Sequence, residues 1–336
     1  MDEERIDLLT QVAIWYYEEG LNQADIAQRI DKSRSMVSRL LDQAREAGLV
    51  EVRVRHPLRT DGELEQRLCQ EYDLAEARVL AEPPEDYRLL LRRLGELGAR
   101  RLQESLHPGI IIGLSWGSAV HAVVSAMPTS PVPNSTIVQL IGAVGHGDPM
   151  VDGVELGRWL AQKMGGSFRF LSAPLLVKDE AVAQALRNER INQETLTIAA
   201  QAEVAVIGIG TPVPEYSSLL RAGYLSRSDL EELMAAGVVG DIVAHHYDEQ
   251  GRVLDIPANR RSISLDADSI RKIPKVIAVS GSVSKARAIA AALRGGFCNC
   301  LVTDAKAAQR VLEIATVRPS PSPSPSSRVP GIKIPG

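Results

Sequence analysis

From residue 109 onward the chain alternates short, continuous apolar runs with helical stretches, and this alternation constrains the fold more than any single motif. The runs are GIIIGLSWG from 109, TIVQLIGA from 136, RFLSAPLLV from 169, VAVIGIG from 204, VIAVSGS from 276 and CLVTD from 300. Helical patterns over 85–105, 180–200, 228–236 and 284–294 lie between most of them. Strand–helix alternation of this kind predicts an α/β fold with a doubly wound parallel sheet. Several runs end in Gly or Ser at the strand's C-terminal end, the edge at which such sheets bind ligands.

The first sixty residues read differently. Ile6, Leu9, Ala13 and Tyr16 or Tyr17 recur at helical spacing over 5–19, and Gly20 stops the run. A short helix over 23–30 follows, with Asn22 as N-cap, and a third runs from Arg34 to about Ala47, capped by Ser33 and ended by Gly48. Val50, Val52 and Val54 then alternate with Glu51, Arg53 and Arg55, the pattern of a half-buried strand that Pro57 closes. Residues 61–72, with Leu64, Leu68 and Tyr72, form an amphipathic linker helix. The expected organisation is a winged helix-turn-helix domain over 1–57, an effector domain with its linker helix over 58–317, and a Pro/Ser-rich tail over 318–336 that adds nothing to a core.

Residues 23–41, QADIAQRIDKSRSMVSRLL, carry the helix-turn-helix pattern. Ala27 is the small residue where the helices cross, Asp31 stands at the turn position that tolerates positive φ, and Val37 with Leu40 points inward. The outer face then presents Ser33, Arg34, Ser35, Ser38 and Arg39, all able to hydrogen-bond phosphates or base edges of double-stranded DNA. Over 29–45 there are five bases against two acids, inside a chain of net charge −4, so DNA binding has to come from this local patch. The bland alternative is a solvated basic helix, and for Arg53 and Arg55 in the wing, plain surface charge is an equal reading. One such unit holds DNA weakly, which implies a dimer or tetramer with heads about one helical turn (~34 Å) apart. The 61–72 helix is the first candidate for part of that contact.

Aromatics at 4% argue against a ring-stacking binder of polysaccharide or single-stranded nucleic acid. Cys69, Cys298 and Cys300 make neither a disulfide framework nor a zinc site. The acidic N-terminus has no signal-peptide core and no segment has the apolar length of a membrane span, so a cytoplasmic location is expected, with no membrane partner.

Taken in order, the helix-turn-helix, VSRLLDQAREAGLV, G-L-S-W-G, I-G-I-G, G-V-V-G-D-I, S-G-S-V-S-K-A-R-A-I and L-V-T-D resemble the SorC family of sugar-responsive transcriptional regulators, over residues 5–315. The resemblance implies an effector domain related to sugar-phosphate isomerases and deaminases. It also implies a small phosphorylated sugar as effector, no cofactor, and self-association. The residues fit that reading. Gly113, Ser115, Gly117 and Ser118 lie where a strand gives way to a helix whose free N–H groups favour a phosphate. Gly208 and Gly210 end a second strand in the same manner. Gly281 and Lys285 lie in a third such turn, where Lys285 supplies a cation; the family commonly has a second Gly where Ser282 stands. Asp241 matches the family's acidic residue that binds sugar hydroxyls, the alternative being a helix or turn cap. Asp304 most simply caps the helix after it, and Gly142 and Gly145 either border the pocket or make tight turns.

Two other functions compete. An enzyme of the isomerase or deaminase type needs a positioned acid and base. Asp241 with His245 or His246 offers a base, but adjacent histidines in a strand over 239–247 point to opposite faces, and His121 and His146 are isolated. A metal at His245, His246 and Asp248 lacks a fourth ligand. Catalysis also leaves residues 23–41 unexplained, so no catalytic residue is expected. The other alternative is a regulator of an unphosphorylated sugar, polyol or nucleoside product. In all the regulator readings the effector biases a bistable subunit arrangement and so changes operator affinity.

Overall fold

The computed structural model describes residues 3–50, 58–144 and 152–316. The expected wing over 50–55 with Arg53 and Arg55, together with Gly145, His146 and the tail from Arg318, therefore lies outside the described residues in whole or in large part. The chain divides into two compact units, Met1–Pro57 and Leu58–Gly336.

The first unit holds α1 (Glu3–Tyr17), α2 (Gln23–Arg29) and α3 (Arg34–Glu46). Asn22 Oδ1 accepts from the amides of Ala24 and Asp25 at 2.9 and 3.1 Å, which starts α2. The turn closes with Asp31 at φ +51°. Ser33 Oγ then accepts from the Met36 amide at 3.3 Å to start α3. Leu9, Val12, Ile26, Ala27, Val37 and Leu40 form the buried centre of this unit. Ala27 thus stands where a larger side chain would force α2 and α3 apart.

The second unit is a sheet covered by helices on both faces. In chain order it runs α4 (Gly62–Tyr72), β1 (Glu76–Leu80), α5 (Tyr87–Gln103), β2 (Ile111–Leu114), α6 (Ser118–Ala126), β3 (Thr136–Gln139), α7 (Gly153–Met164) and β4 (Ser167–Arg169). It continues with α8 (Glu180–Asn188), α9 (Arg190–Ala199), β5 (Val204–Gly208), α10 (Ser218–Arg221), α11 (Arg227–Ala235), β6 (Gly240–Ile242) and β7 (His245–Tyr247). The last elements are α12 (Pro257–Arg260), α13 (Ala267–Lys272), β8 (Lys275–Val279), α14 (Ala286–Arg294), β9 (Cys300–Asp304) and α15 (Ala305–Thr316). Among the described residues seven strands form one sheet in the order β1-β9-β8-β5-β2-β3-β4. Every pairing in it is parallel.

Alternation along the inner strands builds two cores. Val204, Val206, Ile277 and Val279 face one way, against Leu94, Val120 and Leu156 of α5, α6 and α7. Ala205, Ile207, Val276 and Ala278 face the other way, against Leu68, Ala199, Ile289 and Val311 of α4, α9, α14 and α15. This is why these runs read as continuously apolar.

The structure departs from the sequence reading in four places. The run from 169 is not one strand: β4 ends at Arg169, and residues beyond it make only isolated bridges, such as Ala143 with Pro174 and Leu176 with Ser262. Pro174 has no N–H to give a ladder. The 180–200 helix breaks at Glu189, whose ψ is 133°. The 239–247 run is a hairpin, because Val243 and Ala244 sit at φ +50° and +60°. Two successive left-handed residues make the tight turn that usually carries Asn-Gly, and nothing in Val-Ala announces it. Finally, α4 spends Leu64 and Leu68 on this unit's own core, and Tyr72 Oη donates to the Val311 carbonyl at 3.1 Å. Its apolar stripe is therefore not available to a partner subunit.

Packing on the α5–α6 face gives a test. A Cβ on Gly95 would overlap the backbone of Ala122, and one on Gly98 would stand 2.9 Å from Val123 Cγ2. Gly to Ala in a helix normally gains about 1 kcal/mol. Here overpacking costs about 1–3 kcal/mol or more. Gly95→Ala is therefore expected to lower the urea midpoint, reversing the propensity trend. An unchanged or higher midpoint would show that the two helices are not in contact at this point.

Candidate functional site

The loops after β2, β5 and β8 converge at the C-terminal edge of three strands, of which β5 pairs with both of the others. Ser115 is buried and its amide donates to the Val206 carbonyl at 3.1 Å, carrying the β2–β5 pairing past the strand end. Gly117 follows at φ +101°, and α6 starts at Ser118 with no side-chain cap. The amides of its first turn are thus left for an acceptor from outside the helix. An added Cβ on Gly208 would sit 3.8 Å from Ala119 Cβ, so the second loop lies against this first turn.

Gly210 and Asp241 bond each other through both backbone groups, N to O at 2.8 Å and 3.3 Å. A Cβ on Gly210 would overlap the Asp241 carboxylate. Lys285 closes the third side. Its Nζ is buried and donates to the Ile209 carbonyl at 2.9 Å. Burial pushes the Lys285 ammonium down to about 8, against the pull of Asp241 and helped by Arg221. Desolvation likewise pushes the Asp241 carboxyl up, opposed by His246, Lys285 and His245. Lysine has three donors, and among the described residues one of them is taken, by the Ile209 carbonyl.

Two predicted glycines have a packing reason of their own. Gly113 lies inside β2, and the space its side chain would take is filled by Leu140 Cδ2 at 2.7 Å. A Cβ on Gly281 would meet Asp304 Oδ2 and Leu94 Cδ1, each at 2.6 Å. Asp304 itself caps α15 by accepting from the Ala307 amide at 3.0 Å, and it also accepts from the Ser282 amide at 2.7 Å. Gly142 packs on the backbone of Ala173 and Pro174.

Three buried polar groups at strand tips escaped the sequence reading as individual candidates: Gln139 Nε2, Ser280 Oγ and Thr303 Oγ1 have no hydrogen-bond partner among the described residues. The available signal was a polar residue closing an otherwise apolar strand. Among the described residues no group of three or more His, Cys, Asp and Glu side chains is placed to hold a metal ion. No described helix is long and apolar enough to cross a membrane.

In the first unit Ser33, Arg34, Ser35 and Arg39 are exposed and Ser38 is partly so. Ser33 and Ser35 bond each other at 2.9 Å. Arg29 is drawn to Glu19 at 3.6 Å and Arg45 to Tyr17 Oη at 2.9 Å. Lys32, Arg34 and Arg39 make no ion pair among the described residues, which adds Lys32 to the cations the sequence singled out.

Comparison with known proteins follows the same division. The Sugar-bind family model, described as "Putative sugar-binding domain", matches residues 56–313. Transcriptional regulator LsrR of Klebsiella pneumoniae subsp. pneumoniae is 32% identical over 317 residues, covering 92% of this chain and 94% of that protein. The crystal structure of the full-length sorbitol operon regulator SorC from Klebsiella pneumoniae superposes with a TM-score of 0.70 at 28% identity, over 92% of this chain and 100% of that one. The chain belongs to the SorC family of sugar-responsive transcriptional regulators. It is a DNA-binding transcription regulator and not an enzyme. Another relative, the deoxyribonucleoside regulator of Bacillus subtilis, is 29% identical over 93% of this chain and 99% of its own length.

One local feature of this SorC-family member is strained. Ser282 sits at φ +84°, ψ 139°, backbone that glycine adopts freely and serine does not. Ser282→Gly is expected to stabilise by about 1 kcal/mol, the relief of strain less the entropy of a freer unfolded chain. In a unit of this size that raises Tm by about 2–4 °C. Ser282→Val should lower it. Equal Tm values for the three proteins would remove the strain argument.

Proposed function

We propose that this regulator couples operator binding in its first unit to capture of a small phosphorylated sugar in its second. The observation that carries the reading is the convergence of open α6 amides, a buried cation and a carboxylate at one sheet edge. Amides of the first turn of α6 with Lys285 suit a phosphate, while Asp241 suits sugar hydroxyls. The same arrangement of strand-tip loops suits an ancestry shared with sugar-phosphate isomerases and deaminases. Relatives named for sorbitol and for deoxyribonucleosides support a polyol or pentose skeleton. Gly113 and Gly281 serve by letting neighbouring groups close on the cleft rather than by touching the ligand.

In the first unit the α2–α3 pair acts as a helix-turn-helix. Ser35, Ser38, Arg34 and Arg39 reach the DNA from α3, Lys32 reaches it from the turn, and Ser33 sets the start of the recognition helix. The protein acts in the cytoplasm as a dimer or tetramer on a two-part operator. Effector binding shifts the balance between two subunit arrangements because it binds them unequally.

Thermal-shift screening tests the effector. At 100 Kd a sugar phosphate should stabilise by about 2.7 kcal/mol. Its unphosphorylated form should do far less. The shift should fade as pH rises through about 8, where Lys285 loses its charge. A screen in which only unphosphorylated sugars act would overturn the phosphate assignment.

Gel retardation tests the other unit. Arg39→Ala should weaken operator binding by about tenfold and reduce the salt slope by about 1, with the thermal shift intact. Lys285→Ala should do the reverse. Retained operator affinity in an Arg34, Arg39 double substitution would place the DNA surface elsewhere.

A further inference from the structure

We infer that the open edge of the sheet at β4 is a self-association surface, which takes a second copy of this chain edge to edge about a twofold axis. The inference rests on the paired-head reading above and names the surface that joins the pair.

The two edges of the seven-stranded sheet differ. In a parallel ladder alternate residues turn both backbone groups toward the same neighbour. In β1 the residues facing outward are Ala77 and Val79, and each of their groups is taken. The Ala77 amide donates to Cys69 Sγ, and its carbonyl accepts from Arg78 Nη1 at 2.9 Å. The Val79 amide donates to Glu65 Oε1 at 3.0 Å, and its carbonyl accepts from the Asp61 amide at 2.9 Å. That edge is closed. In β4 the Ser167 amide donates to the Ser135 carbonyl at 2.9 Å, so Ser167 and Arg169 face β3 and Phe168 faces outward. The N–H and C=O of Phe168 make no hydrogen bond among the described residues. An edge left open in this way is a template for another strand.

The surroundings of that edge are apolar. Ile191, at the start of α9, is the most exposed large apolar side chain among the described residues, at 55%, and Phe170 is 46% exposed. Thr195 Oγ1 lies 3.2 and 3.0 Å from the carbonyl oxygens of Phe170 and Ile191, so the two residues stand side by side. Next to them in sequence, Arg169 and Glu189 are exposed and make no ion pair among the described residues.

A second copy is the occupant that fits. One outward residue per chain supplies one donor and one acceptor. Two copies satisfy each other fully when a twofold axis passes beside Phe168 and each N–H meets the other copy's C=O. The same axis lets each copy offer its free arginine to the other's free carboxylate. Three residues of strand bury little, and a stable interface needs about 800 Å² from each side. Phe170 and Ile191 extend the contact beyond the strand. Other surfaces are spent: the β1 edge is closed, and α4 packs Leu64 and Leu68 into its own core.

Sedimentation of the full chain, without DNA or effector, tests this. The wild type should sediment as a dimer or tetramer at micromolar concentration. Phe170→Glu with Ile191→Glu should halve the assembly, raising its dissociation constant about a hundredfold or more. The twofold also sets Ser167 opposite Arg169 of the other copy, in the kind of pair whose Cα atoms lie within disulfide reach. Ser167→Cys with Arg169→Cys should therefore crosslink chains in pairs on mild oxidation. The wild type, in which Cys69 is the one cysteine not buried, should not. An assembly unchanged by the two glutamates, or no crosslinked pair from the cysteine variant, would overturn the inference and leave the paired-head reading standing. A wild type that stays monomeric would sink both. Should the glutamate variant fail to fold, the cysteine variant decides.

Discussion

Two backbone hydrogen bonds join Gly210, at the tip of the central strand β5, to Asp241, in the excursion between β5 and β8. The rest of the cleft depends on them. They hold the hairpin against the sheet edge, and they do so only because Gly210 has no side chain to collide with the Asp241 carboxylate. With Asp241 fixed, Ile209 presents its carbonyl to Lys285, which draws in the turn after β8. The turn after β2 needs no such device, since β2 pairs with β5 directly. Three loops distant in sequence are thus ordered before any ligand arrives, so little ordering cost falls on binding.

That order is maintained against local costs. Lys285 and Asp241 are both desolvated, Ser282 is held in glycine-like backbone, and Gln139, Ser280 and Thr303 bury polar atoms without partners. Each of these is unfavourable alone, and buried unpaired groups in particular are rare. Gln139, Ser280 and Thr303 lie at or just past the C-terminal ends of strands; among the described residues Ser135 Oγ, just ahead of β3, and Arg93 Nε, inside α5, are also buried without a hydrogen-bond partner. At the tips of β3, β8 and β9 a bound polar ligand would supply hydrogen bonds that these groups lack.

Most of the architecture was legible in the sequence because burial writes itself into periodicity. The parallel strands at 111, 136, 204, 275 and 300 and the helices between them follow from it, as do the capped helices of the first unit. Three kinds of feature were not legible. β1 begins Glu76-Ala77-Arg78, a half-polar stretch too short to stand out from its surroundings. The 240–247 hairpin turns on Val243 and Ala244, residues with no turn signature, whose left-handed backbone is imposed by the tertiary bonds on either side. Within the site, glycines that admit a ligand and glycines that admit a neighbour look identical in sequence. Gly210 and Gly113 differ only in what stands opposite, a carboxylate in one case and Leu140 in the other. Of the two adjacent histidines the sequence allowed only one to face the cleft; the hairpin register puts His246 opposite Asp241.

The economy of charge in the first unit bears on how such a regulator is switched. Of the five bases over 29–45, Arg29 and Arg45 are drawn to partners within the unit, while Lys32, Arg34 and Arg39 make no ion pair among the described residues. The rest of the chain is net acidic and adds no attraction. Few phosphate contacts mean weak binding by one head, with a shallow salt dependence, so tight operator binding calls for two heads engaged together. An effector need not break any protein–DNA contact to end that engagement. It has only to favour an arrangement in which the second head is misplaced, and a coupling of about 1–3 kcal/mol changes affinity by about 5–150-fold. A cleft ordered in advance lowers the ordering cost of binding, and coupling then depends on how unequally the two arrangements hold the ligand.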